Sequence, residues 1–161
     1  MRVRKLDTTR RRDVRAFIRL PFELYRECPQ WVPPLMPDMR AALDKRRYLF
    51  YRHSEADFYV AESEGEVLGR ITALDNRRYN DYHESKVAFF YHLDLVEDAQ
   101  VAQALFDAAF GWARQRGLDT MVGPKGLLRG DAHGLLVKGF EHRASVGVAY
   151  NYAYYDGLVQ A

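Results

Sequence analysis

The chain has 161 residues, 48% hydrophobic and 14% aromatic, the size and apolar content of one ordinary folded domain and not of a disordered segment. Its 24 Lys and Arg against 22 Asp and Glu leave a net charge of +2, which argues against a dedicated nucleic-acid binder. The single cysteine, Cys28, excludes an internal disulfide or a Cys-based zinc site. No apolar run nears the ~20 residues of a membrane span, and MRVRKLDTTRRR lacks a signal region, so a reducing cytoplasm with no membrane partner is expected.

In chain order, residues 2–7 alternate weakly and predict a first strand. Asp13 is a candidate N-cap for a helix carrying Val14, Phe17, Ile18, Phe22 and Tyr25, with Pro21 expected to kink or divide it. The segment CPQWVPPLMP (28–37) predicts an ordered loop pinned by Trp31, and a short helix should follow at 37–45. Residues 56–63 and 67–74 read as a hairpin joined at Glu64-Gly65-Glu66, 75–85 as a polar loop, and VAFFYHLDL (87–95) as a third strand. Residues 98–116 predict a helix from the 3.6-residue spacing of Val101, Leu105, Ala108, Ala109 and Trp112, with Asp98 to cap it and Gly117 to end it. Next come a strand at 118–124, a glycine-punctuated loop at 125–134, a short apolar piece at 135–140, and a terminus that turns helical near its end. Antiparallel strands before a strand–helix–strand unit imply an α/β domain with a mixed sheet.

That order, and the segment FFYHLDLVEDAQVAQALFDAAFGWARQRGLDTMVG, resemble the GNAT N-acetyltransferase superfamily. LPFELYRECPQWVPPL, GRITALDNRRYN, GLLVKGF and YNYAYYDGL further resemble an uncharacterised GNAT-like group. The resemblance implies one GNAT-like domain over 1–161 whose closing strands are missing or supplied by another chain; an unpaired sheet edge would then favour a homodimer. It implies acetyl-CoA or another acyl-CoA as co-substrate and a small amine as acceptor; no His, Asp and Glu set has metal-site spacing, so no metal is expected. The pantetheine arm would pair along the central strand at Tyr91, Leu93, Asp94 and Leu95, and the diphosphate would sit on the amides of Gln100, Val101 and Ala102. The superfamily's loop reads Arg or Gln, two residues, Gly, one residue, then Gly or Ala; here Glu97, Gln100 and Ala102 hold those positions. Glu97 and Asp98 would each repel the diphosphate by about 1 kcal/mol.

Acyl transfer to an amine needs a base, donors for the thioester carbonyl and an acid for the leaving thiolate. His92 is the first candidate base, because its ordinary pKa lies near neutrality; Asp94, on the same strand face, and Glu62 are alternatives. The resemblance suggests Tyr154 or Tyr155 as the acid, and each of these residues has a packing role as its alternative. Lys125, Arg129 and His133 could hold an acidic substrate group, or lie on a solvated loop. The rival reading is a catalytically inactive GNAT-like module that binds a ligand or partner. A cofactor pocket plugged by side chains, or a sheet that does not part after His92, would rule out the enzyme reading.

Overall fold

In the computed structural model, residues 1–160 are described. Five strands form one sheet in sequence order: β1 Arg2–Lys5, β2 Glu55–Ser63, β3 Glu66–Asp75, β4 Val87–Leu95 and β5 Thr120–Val122. All neighbours pair antiparallel except β4 and β5, which are parallel, so the sheet is mixed as the element order implies. Glu64 (φ 52°) and Gly65 (φ 89°) form a two-residue turn with both φ positive, the type that matches strand twist.

Helices α1 (Arg11–Leu24) and α2 (Met36–Leu43) cover one face, and α4 (Ala99–Arg114) covers the other. On the α4 face, Val101, Leu105, Ala109 and Trp112 pack on Ile71, Ala73 and Phe90. Fully burying one such side chain stabilises by roughly 1.5–3 kcal/mol. Gly69 permits this contact: a Cβ there would lie 2.8 Å from Leu105 Cδ1 and 2.9 Å from Val101 Cγ1. Asp57, buried in β2, takes Trp112 Nε1 at 2.8 Å, Lys5 Nζ at 2.7 Å and Lys45 Nζ at 2.6 Å, tying α4 and β1 to β2.

Several local expectations differ from the structure. Asp13 lies inside the first turn of α1 instead of capping it; its carboxylate accepts from the Asp7 amide (3.0 Å) and pairs with Arg4 (3.0 Å). Pro21 does not divide α1, which continues through it as one helix. Residues 75–85 contain a helix, α3 (Arg77–His83), capped by the Asn76 side chain on the Tyr79 amide. Asn80 fixes it by donating to Asp75 and to the Val87 carbonyl and by accepting from the Val87 amide. The strand expected at 118–124 is confined to 120–122. Trp31 does pin the proline-rich loop, stacked on Tyr25 with centroids 5.1 Å apart and edge-on to Phe22. The terminus folds as α5 (Tyr154–Gln160).

Candidate active site

β4 and β5 pair only over Val87–Phe89 and Thr120–Val122. One further bond, from the Lys125 amide to the Phe90 carbonyl (2.8 Å), precedes their separation. The fork opens on a cavity of about 360 Å³ between the second half of β4, α1, α2 and the loops of residues 124–135 and 146–151. Tyr91, His92, Leu93 and Asp94 form its strand side.

A bulge shapes that wall. Arg70 pairs with Asp94 and Thr72 with Tyr91, so two β4 residues, His92 and Leu93, oppose Ile71 alone. His92 absorbs the extra residue at φ 48°, a left-handed conformation uncommon outside glycine. The sequence pattern put His92 and Asp94 on one face, and they share it; the bulge adds Tyr91, which strict alternation would have sent to the other side. His92 is half-buried, edge-on to Phe17 (5.5 Å), and its Nδ1 lies 3.0 Å from the hydroxyl of buried Thr72. Burial first, and then the positive charge of Arg70, hold its pKa well below the usual imidazole range. The ring is therefore neutral at pH 7, the form that accepts a proton.

Asp94 is engaged by Arg70, whose Nε and Nη2 reach its Oδ2 at 2.7 and 2.6 Å. It is an anchored partner of a buried guanidinium, unlike a free base. Glu62 lies across the sheet, held by Arg4 at 2.8 and 3.0 Å, and does not line the cavity.

At the start of α4, Asp98 caps the helix as its position predicts. Its Oδ1 accepts from the amides of Gln100 (2.7 Å) and Val101 (3.3 Å), the donors a diphosphate would need. Val101 and Ala102 turn into the core, and Gln100 is exposed. Leu95 is also engaged: its amide donates to Tyr155 Oη (2.9 Å) and its carbonyl accepts from Tyr154 Oη (2.7 Å). Tyr25 donates to Tyr155 Oη at 3.1 Å. Burial pushes the pKa of Tyr154 and Tyr155 up, keeping both hydroxyls protonated.

Lys125, Arg129 and His133 do not line the His92 cavity; they gather on an adjoining hollow. Sequence reasoning missed Thr72, Arg70 and the buried Asn151, which accepts from the Leu136 amide and donates to its carbonyl, closing the far cavity wall. No run of neighbours marks them, because each acts across at least 15 residues.

No protein-family model matches the chain. In sequence it is similar to Protein YghO of Escherichia coli (strain K12), 31% identical over 134 residues, covering 80% of this chain and 33% of that protein. It is also similar to the bacterial ceramide synthase of Caulobacter vibrioides (strain NA1000 / CB15N), 32% identical over 130 residues, covering 80% of this chain and 34% of that one. The chain thus spans about a third of the length of these relatives. In structure it matches a tandem GNAT protein from the clavulanic acid biosynthesis pathway (TM-score 0.56, 20% identity, 81% of this chain and 38% of that one). It also matches an aminoglycoside acetyltransferase from an uncultured soil metagenomic sample, solved with sisomicin (TM-score 0.54, 20% identity, 75% and 74%). The chain has the GNAT fold. In that fold the forked strands are β4 and β5, and the helix that follows the fork is α4. Among the described residues no group of three or more His, Cys, Asp or Glu could hold a metal, and no helix is long and apolar enough to cross a membrane.

Proposed function

We propose that the chain carries an acyl-CoA-dependent N-acyltransferase site acting on a small amine in the cavity beside β4. One observation carries this reading: the sheet parts just past Phe90, and the parted edge presents a neutral His92 to a cavity large enough for an acceptor. In the reaction, the imidazole of His92 takes a proton from the amine as its nitrogen attacks the thioester carbon. The C–S bond then breaks, an amide forms, and the thiolate takes a proton from Tyr154, the exposed-side member of the tyrosine pair. An amide on an amine nitrogen is also the bond that defines a ceramide, the product named for the Caulobacter relative. The apolar side chains of Leu35, Val146 and Val148, exposed where they line the cavity, suit an acyl chain or an apolar acceptor tail.

The chain's own groups bear on the fit. An N-cap carboxylate contributes about 1 kcal/mol, so displacing Asp98 from the α4 amides would weaken diphosphate binding only several-fold. The Leu95 edge must likewise exchange its tyrosine hydroxyls for a pantetheine amide. These occupied donors favour a second reading, a GNAT-like module that binds a ligand or partner without catalysis. Calorimetric titration with CoA and acetyl-CoA, followed by product detection with primary amines, separates the two. Binding with turnover that His92→Ala abolishes supports the enzyme; no binding at millimolar CoA leaves the silent module.

A further inference from the structure

Residues 123–134, GPKGLLRGDAHG, fold back on themselves. The Gly134 amide donates to the Pro124 carbonyl (2.8 Å), Lys125 and His133 form an isolated antiparallel bridge, and the Leu128 amide donates to Asp131 Oδ2 (2.8 Å). Gly126 permits the fold, because a Cβ there would collide with the Asp131 side chain. The loop is therefore held in shape by its own hydrogen bonds.

On its outer side lies a hollow of about 590 Å³ lined by Lys125, Arg129 and His133. Among the described residues none of the three pairs with a carboxylate. Lys125 is half-buried, with its ammonium 4.4 Å from the Tyr79 ring centroid and 4.5 Å from that of Phe89. Two rings hold the charge in place without neutralising it. The carboxylate on the hollow, Asp131, already accepts from the loop's own amide. A fixed, partly desolvated ammonium beside a guanidinium and an imidazole is a receptor for an oxyanion.

The hollow and the His92 cavity share Pro124, Leu127, Asp131 and Gly134, so they adjoin across the loop. We propose that the loop of residues 123–134 binds an oxyanion, phosphate or carboxylate, borne by the acceptor amine, and so selects acceptors that are zwitterionic over simple amines. Calling the ligand an acceptor rests on the N-acyltransferase reading; oxyanion binding is measured without acyl-CoA, so the two fail separately. An alternative source of the same chemistry is a phosphate of CoA itself.

The test is a chemical-shift titration of the isotopically labelled chain with ethanolamine, O-phosphoethanolamine and β-alanine. Either anionic amine is expected to bind at least tenfold more tightly than ethanolamine, with shifts at Lys125 and His133, and the stronger of the two identifies the oxyanion. Arg129→Ala, at an exposed position, and Lys125→Met, which keeps the alkyl stem against the rings, should each remove most of that preference while leaving CoA affinity unchanged. Equal affinities for the three amines overturn the proposal. So does a preference that both variants retain, or an Arg129→Ala effect confined to CoA.

Discussion

Arg70 Nη1 donates to the Phe17 carbonyl at 2.7 Å, the carbonyl that Pro21, four residues on in α1, leaves without its helical N–H. The same guanidinium holds Asp94 and lies 4.7 Å from the centroid of the Phe17 ring. A proline inside a helix and a buried arginine on β3 thus answer each other, and α1 is fastened to the strand that floors the cavity.

Arg70→Met should cost about 3–5 kcal/mol, because it strands the Asp94 carboxylate as well as the Phe17 carbonyl. Pro21→Ala restores a local donor for that carbonyl. In a double-mutant cycle by urea denaturation, Pro21→Ala should be more favourable in the Arg70→Met background than in the wild type, with a coupling of about 0.5–3 kcal/mol. Additive effects would break the link between the two residues.

The neutral state of His92 has a pH signature. Its folded pKa is depressed below the unfolded value of 6.5, so the unfolded chain binds the proton first as pH falls. The stability involved is present above pH 6.5 and is lost as pH drops below it, at up to about 1.4 kcal/mol per pH unit. His53, also lowered by burial, adds a contribution of the same sign. Denaturation midpoints for His92→Gln should fall less between pH 6.5 and 5 than those of the wild type. Thr72→Val should alter the imidazole tautomer seen by nitrogen NMR, since it removes the partner at Nδ1; Thr72→Ser should restore it.

Asp98→Ala should have opposite effects on the free and the liganded chain. Loss of the cap should lower stability by about 1 kcal/mol, while release of the Gln100 and Val101 amides and removal of a negative charge should tighten CoA binding several-fold. Thermal unfolding and calorimetry read the two effects. A variant that loses stability and gains no affinity would mean that α4 does not receive the diphosphate.

Gly69→Ala should cost about 1–3 kcal/mol, because its new methyl group enters the space of Leu105 and Val101. The same change at Gly111, on α4 with open space around it, should be neutral or stabilising. Chemical denaturation of the two variants compares them directly.

The elements written in local periodicity were legible in the sequence. The hairpin of β2 and β3, the aromatic strand β4 and the helix α4 with Asp98 and Gly117 at its ends all follow from spacing and end residues. The α3 helix was not, because its residues are polar and its order comes from Asn80 bridging to Asp75 and Val87; Asn76 was the available signal. His92 could be singled out by residue type, but its partner Thr72 sits 20 residues away and its backbone angle reflects β3 pairing. Arg70, Asp94 and Pro21 each look like isolated oddities in sequence and make sense only together.

The single inserted residue at His92 divides β4 into two stretches with opposite parity. Upstream of it odd-numbered positions face away from α4; downstream even-numbered ones do. Deleting His92 itself would close the bulge, set Leu93 opposite Ile71, and leave Tyr91, Leu93, Asp94 and Leu95 on the faces they now hold. The extra residue is thus an addition to the cavity wall alone: it sets an imidazole there while the aliphatic layer under α4 stays as a regular strand would have it.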